Sequence, residues 1–107
     1  IFVPVGGGGL IAGVLQVIKK HNPKIKVIGV EPEDACAMKQ SLAKKKIVDL
    51  DHVGIFADGV AVKVVGKEPF SIVSKSIFFI CSANLYIISF FKNDSSGKLF
   101  KTAIVLL

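Results

Sequence analysis

The sequence predicts an α/β fold built on a parallel sheet, and three observations carry this prediction. A short apolar run at residues 1–5 leads into four consecutive glycines, apolar residues then recur at helical spacing, and a second apolar run follows at residues 25–31. A strand, a helix and a strand joined by short connections form a βαβ unit, which places its strands in parallel through a right-handed crossover. At 107 residues, the chain has room for one domain.

The first strand and the first helix lie on either side of the glycines. Residues 1–5 fit a buried strand, with Pro4 tolerated near its end. A helix is predicted from Leu10 to about His21, where lysines in the last turn suit the negative helix end and Pro23 prevents continuation. The apolar positions of this helix are Leu10, Ile11, Val14, Leu15, Val17 and Ile18.

The second strand and helix follow the same pattern. Residues 25–31 are nearly continuous in apolar character, as expected for a strand covered on both faces, and Pro32 ends the run. A second helix is predicted from Asp34 to about Lys44. Its inward positions are Ala35, Met38 and Leu42.

The remainder of the chain is less regular. Residues 47–56 are predicted as a loop, residues 60–63 as a short strand, and Pro69 lies at the start of a further element. Residues 77–91 are strongly apolar but lack a helical or strand period. This stretch is short for a membrane span, so we expect a buried segment and no membrane partner.

The basic charge does not indicate a nucleic-acid partner. The net charge is +6, but all fourteen basic residues are lysines, scattered along the chain in runs of three at most. Without arginine, the bidentate recognition of guanine edges and phosphates is missing. Cys36 and Cys81 show neither a CxxC motif nor histidines at zinc spacing, so we expect two buried thiols in a reducing compartment and no metal. No signal-peptide pattern is present, and we expect a protein that is not secreted.

The four glycines, Gly6, Gly7, Gly8 and Gly9, are called the glycine loop below. A strand that leads through glycines into a helix is typical of phosphate-binding sites, because glycine permits close approach to the backbone amides and the helix start attracts anions. A nucleotide-binding Walker A loop is excluded, because no Gly-Lys-Ser/Thr sequence follows.

Three interpretations of the loop remain open from the residues alone. The dinucleotide-binding fingerprint G-x-G-x-x-A is met by Gly7, Gly9 and Ala12, with Glu31 as the acid at the end of the next strand. A phosphate monoester, such as that of pyridoxal 5′-phosphate, also fits, since successive amides can surround one phosphate. The glycines could equally serve tight packing of the strand against the helix.

Three segments together resemble a known family. Residues 3–10 (VPVGGGGL), 28–34 (IGVEPED) and 53–63 (VGIFADGVAVK) resemble, in order and spacing, the threonine dehydratases, which are pyridoxal phosphate enzymes of the tryptophan synthase β-like group, or fold type II. The resemblance covers about residues 1–70. It implies a three-layer α/β/α domain with a parallel sheet, of which this chain would be a part.

The resemblance also implies an activity. Such a lyase uses pyridoxal 5′-phosphate to convert L-threonine into 2-oxobutanoate and ammonia in isoleucine biosynthesis, with L-serine as a second candidate substrate. The parent enzyme is expected to be a homo-oligomer of the cytoplasm or plastid. Residues 57–59 match a turn near the cofactor ring. The residues that match the loop binding the cofactor phosphate are Gly6, Gly7, Gly8, Gly9 and Leu10.

The chain also departs from what such an enzyme needs. The family places its cofactor-binding lysine N-terminal to the glycine loop, so neither Lys63 nor Lys67 is a candidate for that role. We therefore assign no catalytic residue and expect the chain alone to be inactive. The alternatives are a dinucleotide-binding module and a non-catalytic truncated product.

Two further departures concern Glu31 and the end of the chain. Glu31 resembles a cation-holding carboxylate of related enzymes, but the second acidic position is Ala37 here, so we expect no metal site and a Glu31 that faces solvent or a lysine. Residues 71–107 depart from the family pattern. We expect residues 1–70 to be part of the cofactor-binding catalytic domain and residues 71–107 to be a divergent segment.

Overall fold

The computed structural model describes residues 1–54, 60–77 and 79–83. Three strands and three α-helices are present in this part of the chain. In chain order, they are β1 (Phe2–Pro4), α1 (Gly9–His21), β2 (Ile28–Pro32), α2 (Ala37–Lys44), α3 (Lys67–Ser76) and β3 (Phe79–Ala83), with a 3-10 turn at Glu33–Ala35 between β2 and α2.

The strands form one parallel sheet in the order β1-β2-β3. In the register of the sheet, Val3 lies beside Gly29, and Gly29 lies beside Ile80. A Cβ on Gly29 would lie 2.6 Å from Ile80 Cγ1 and 3.1 Å from Ile11 Cδ1, closer than side chains tolerate. Because Gly29 has no side chain, α1 can pack directly on the central strand of the sheet.

The helices share one face of the sheet. Successive right-handed crossovers that advance in one direction, from β1 to β2 to β3, place their helices on the same side. In agreement, α3 contacts both α1 and α2. The predicted α/β class with parallel strands is confirmed, and the described residues supply the sheet and one helical layer. The buried core comprises Val3, Val5, Ile11, Leu15, Val27, Ala37, Met38, Leu50, Val65, Val73 and Ile80.

Three elements differ from the sequence prediction. The helix predicted from Asp34 begins at Ala37, because Glu33–Ala35 form a 3-10 turn before it. Residues 60–63 do not form the predicted strand; instead, the Lys63 carbonyl accepts a 3.0 Å hydrogen bond from the Leu50 amide. Strand β3 lies inside the apolar run at residues 77–91, where no strand period is visible. Strands of parallel sheets often have near-continuous apolar sequences instead of alternating ones, so the sequence pattern does not distinguish β3 from the rest of the run.

Helix α3 crosses the position at which the sequence pattern changes. It begins at Lys67 and continues to Ser76, and β3 then pairs with β2 along its whole length. The division of the chain at residue 70 stays a prediction. The predictions for residues 55–59 and 84–107 lie outside the described residues.

The remaining expectations concern thiols and membranes. Cys36 is a free thiol of intermediate exposure instead of a buried one, and its sulfur accepts a 3.6 Å hydrogen bond from Gln40 Nε2. Across the described ranges, none of the helices is both long and apolar enough to cross a membrane.

Candidate functional site: the glycine loop

The glycine loop begins where β1 leaves the sheet. The amide of Val5 donates a 2.9 Å hydrogen bond to the Val30 carbonyl, so the chain remains attached to β2 up to the first glycine. The loop thus lies at the carboxyl ends of the parallel strands, which is the edge where open α/β sheets bind their ligands.

Gly8 is required by both its conformation and its surroundings. It has a φ of 94°, in the left-handed region, and it forms the N-cap of α1, where its carbonyl accepts a 3.0 Å hydrogen bond from the Ala12 amide. A Cβ at this position would lie 2.6 Å from Met38 Cε and 2.8 Å from Pro69 Cβ. A side chain would therefore be both strained and blocked by α2 and α3.

Gly6 and the carbonyl of Gly7 hold the loop on the protein side. A Cβ on Gly6 would lie 3.1 Å from the Val60 Cα, so the backbone of residue 60 passes close beneath the loop. The Gly7 carbonyl accepts a 3.0 Å hydrogen bond from the Gly66 amide, just before α3. The loop is fixed from below by the segment that leads into α3.

Gly7 and Gly9 lie on the side of the loop that faces away from the protein. Both are exposed, and no atom of the described residues lies within 4 Å of a Cβ built on either. The first hydrogen bond of α1 is made by the Ala12 amide, so the amides of Gly9, Leu10 and Ile11 precede it and have no partner within the helix. Among the described residues, these three amides have no hydrogen-bond acceptor.

The electrostatics of this helix start favour an anion. Aligned peptide dipoles place partial positive charge at the N-terminus, and the first turn of α1 carries no acidic residue. The Leu10 side chain is 62% exposed, so it is not buried against the core. The predicted residues Gly6, Gly7, Gly8, Gly9 and Leu10 thus form one structure, in which a dianionic phosphate fits the donors and the open space.

The surroundings of Glu31 differ from the sequence prediction of a side chain that faces solvent or a lysine. It is 1% exposed and faces neither solvent nor a lysine as its principal partner. Its Oε1 accepts a 2.8 Å hydrogen bond from the Met38 amide, and its Oε2 accepts another of 2.8 Å from the Lys39 amide. Both carboxylate oxygens are therefore committed to the first turn of α2, and a ribose hydroxyl would have to displace them. This engagement argues against the dinucleotide-binding interpretation.

Burial dominates the titration of this carboxyl group. It raises the pKa of Glu31 from an ordinary value of 4.5 to about 7, although the two backbone hydrogen bonds and the nearby Lys39 charge act in the opposite direction. The residue before α2 is Cys36, which makes no side-chain cap, and Glu31 supplies the acceptors instead.

The other candidate side chains do not gather at the loop. Lys63 is exposed, and its Nζ lies 3.4 Å from the Asp51 carbonyl. Within residues 1–54, 60–77 and 79–83, no cluster of three or more histidine, cysteine or acidic side chains could hold a metal ion. Residues 57–59, which match a turn near the cofactor ring, lie outside the described residues.

Comparisons with known proteins find a family model and relatives that match this chain. The family model described as "Pyridoxal-phosphate dependent enzyme" matches residues 1–81. The chain is 63% identical over 70 residues to the L-threonine dehydratase biosynthetic IlvA of Burkholderia multivorans, and 62% identical over 72 residues to the chloroplastic biosynthetic threonine dehydratase of Arabidopsis thaliana. These matches cover 65% and 67% of this chain but only 14% and 12% of the relatives.

A solved structure gives the same result for the fold. The processed form of threonine deaminase isoform 2 from Solanum lycopersicum superimposes with a TM-score of 0.76 at 46% identity, covering 78% of this chain and 24% of that one. The chain therefore corresponds to a part of a larger α/β domain of fold type II.

Proposed function

The chain belongs to the family of pyridoxal-phosphate dependent enzymes, and from this premise we propose that it is part of an L-threonine dehydratase whose glycine loop binds the cofactor phosphate. One observation carries the assignment of the loop. Among the described residues, no atom lies near a Cβ built on Gly7 or Gly9 and no acceptor pairs with the first amides of α1, while Gly6 and Gly8 pack against the protein. This division suits a loop whose shape is fixed from within and whose outer side receives a phosphate.

Each residue of the loop has a separate task in this proposal. The amides of Gly9 and Leu10 donate to the phosphate oxygens, and the dipole of α1 stabilises their negative charge. Gly7 and Gly9 admit the phosphate because neither carries a side chain. Gly8 holds the turn into the helix. Rigid attachment of the phosphate sets the position of the rest of the cofactor relative to the substrate.

The chemistry itself belongs to the cofactor and to the remainder of the parent enzyme. When bound, pyridoxal phosphate supplies an electron sink for the carbanion that forms when the α-proton of L-threonine is removed. The expected products are 2-oxobutanoate and ammonia, with L-serine as a second candidate substrate. Because the family's cofactor-binding lysine is expected N-terminal to the loop, we propose that the chain alone binds phosphate without catalysing the reaction.

The wider proposal concerns the parent enzyme. We propose a homo-oligomeric enzyme of the cytoplasm or plastid, and the chloroplastic relative from Arabidopsis thaliana supports the plastid. Residues 1–70 form part of the cofactor-binding catalytic domain, and residues 71–107 form a divergent segment. The match to the Burkholderia relative extends over 70 residues, and the family model extends to residue 81.

Calorimetric titration of the chain with pyridoxal phosphate, sulfate and NAD in separate experiments tests the assignment of the loop. We expect pyridoxal phosphate and sulfate each to bind, and each to reduce the binding of the other. We expect NAD to compete with neither. Binding of NAD in preference to pyridoxal phosphate would instead support the dinucleotide-binding module. Failure of all three to bind would contradict a phosphate-binding loop in this chain.

A further inference from the structure

Glu31 caps a helix from a neighbouring strand. It lies in β2, yet its two carboxylate oxygens accept the Met38 and Lys39 amides of α2 at 2.8 Å each. The residue that precedes α2 is Cys36, and it makes no side-chain cap of its own. A buried carboxylate that accepts two hydrogen bonds fixes the position of the groups that donate them. The first turn of α2 is therefore held to the sheet by Glu31.

Met38 connects this cap to the glycine loop. Its amide is one of the two groups that Glu31 holds, and its side chain is fully buried. At the far end of that side chain, Cε lies 2.6 Å from the position of a Cβ on Gly8, so it packs directly beneath the left-handed residue. A displacement of the first turn of α2 would move Met38 and change the support beneath Gly8.

We propose that Glu31 is a positioning residue for phosphate binding, acting through the Met38 side chain on the conformation of Gly8. This inference rests on the proposed function, because that function supplies the ligand whose affinity for the glycine loop is measured. Glu31 itself does not contact the phosphate. Its carboxylate keeps the first turn of α2 in place, Met38 supports Gly8, and Gly8 in turn presents the amides of Gly9 and Leu10.

The test uses the full 107-residue chain with two readouts, the amide NMR resonances of Gly7 and Gly9 and the affinity for sulfate. Sulfate keeps the same charge throughout the neutral range and forms no covalent bond with lysine. Glu31→Gln preserves shape but replaces one accepting oxygen with an NH₂ group, which cannot accept an amide hydrogen bond. The matched control is Ser41→Ala in the same helix, which removes the buried hydroxyl that accepts a 3.0 Å hydrogen bond from the Val48 amide beyond the end of α2.

We expect Glu31→Gln to shift both glycine amides and to weaken sulfate binding about tenfold, the scale seen when an outer partner of a binding site is removed. Ser41→Ala should leave both readouts unchanged. In a Met38→Leu background, which retains volume but removes Cε, Glu31→Gln should have little further effect on the loop amides. Glycine resonances that respond equally to Glu31→Gln and Ser41→Ala, or to neither, would overturn the inference.

Two outcomes separate this inference from the proposed function. If the Gly7 and Gly9 amide resonances shift in Glu31→Gln while the unmodified chain binds no sulfate, the coupling stands and the phosphate-binding function fails. If Glu31→Gln does not fold, Met38→Leu decides, since it leaves the carboxylate in place. Unchanged Gly7 and Gly9 amides in Met38→Leu would then reject the coupling.

Discussion

The amide of Gly66 donates a 3.0 Å hydrogen bond to the carbonyl of Gly7. The Gly66 carbonyl in turn accepts the Phe70 amide at 3.0 Å, so the residue that secures the loop also begins α3. The loop is thereby connected to α3 on its inner side, whereas its outer side is open. A loop supported in this way has its shape before any ligand arrives, which lowers the conformational cost of binding.

The first prediction concerns the left-handed glycine. We expect Gly8→Ala to lower the free energy of unfolding by about 2–4 kcal/mol, because the substitution combines backbone strain with a collision against Met38 and Pro69. Urea unfolding followed by circular dichroism measures the change. Gly13→Ala is the control, since Gly13 lies inside α1 with open space around it, and alanine there should stabilise the helix by about 0.5–1 kcal/mol. Equal effects of the two substitutions would contradict the account of Gly8.

A second prediction separates folding from binding. Gly9→Ala should leave the free energy of unfolding nearly unchanged, because no described atom lies near the new Cβ. It should weaken pyridoxal phosphate binding about tenfold or more, because the new Cβ takes space assigned to the phosphate and displaces it from a hydrogen bond to a charged group, worth about 1.5–3 kcal/mol. Calorimetric titration measures the affinity, and Gly13→Ala again serves as the control. Unaltered affinity in Gly9→Ala would place the phosphate elsewhere.

The third prediction follows from the titration of Glu31. Its pKa in the folded chain is about 7, above the ordinary value of 4.5, so the folded state binds the proton more tightly than the unfolded state. This contribution to stability is fully present below pH 4.5 and is lost as the pH rises through 7, a change of about 3 kcal/mol. The difference in unfolding free energy between the unmodified chain and Glu31→Gln should therefore change between pH 4 and pH 8. A constant difference across that range would show that the carboxyl group titrates normally.

A fourth prediction concerns activity. The purified chain, supplied with pyridoxal phosphate and L-threonine, should release no 2-oxobutanoate above the rate of the free cofactor. The reason is that the resemblance places the lysine that binds the cofactor N-terminal to the glycine loop, and we assign that role to no residue of this chain. Chromatographic detection of the keto acid gives the measurement, and boiled protein provides the blank. Turnover that is abolished by Gly8→Ala would show that the chain holds a complete active site.

The sequence accounts for the parts of the fold that depend on local pattern. Helical spacing from Leu10 onward and the apolar run that ends at Glu31 suffice to place α1 and β2, and the glycine run places the loop between them. The role of Glu31 escapes such reasoning, because the capped helix begins at Ala37, after an intervening turn. A contact between a strand and a helix that follows it through a turn has no fixed spacing in sequence.

The sequence predictions for β3 and for residues 60–63 fail for a related reason. The apolar run that contains β3 shows no alternation, so only its pairing with β2 identifies it as a strand. Residues 60–63 have a strand-like composition, but the neighbour that they find is Leu50 in a loop, through the Lys63 carbonyl. In both cases the partner decides the structure, and the partner lies far away along the chain.

The alternation within the glycine loop has a consequence for how such a loop changes over evolutionary time. Gly6 and Gly8 pack against the protein, whereas no described atom lies near a Cβ on Gly7 or Gly9, and the proposed function gives these two glycines a role only toward a ligand. A descendant that lost its cofactor would be free to acquire side chains at the second pair but not at the first. Substitution at Gly7 and Gly9, with Gly6 and Gly8 retained, would therefore be the sequence mark of a related protein that has kept its scaffold after giving up its chemistry.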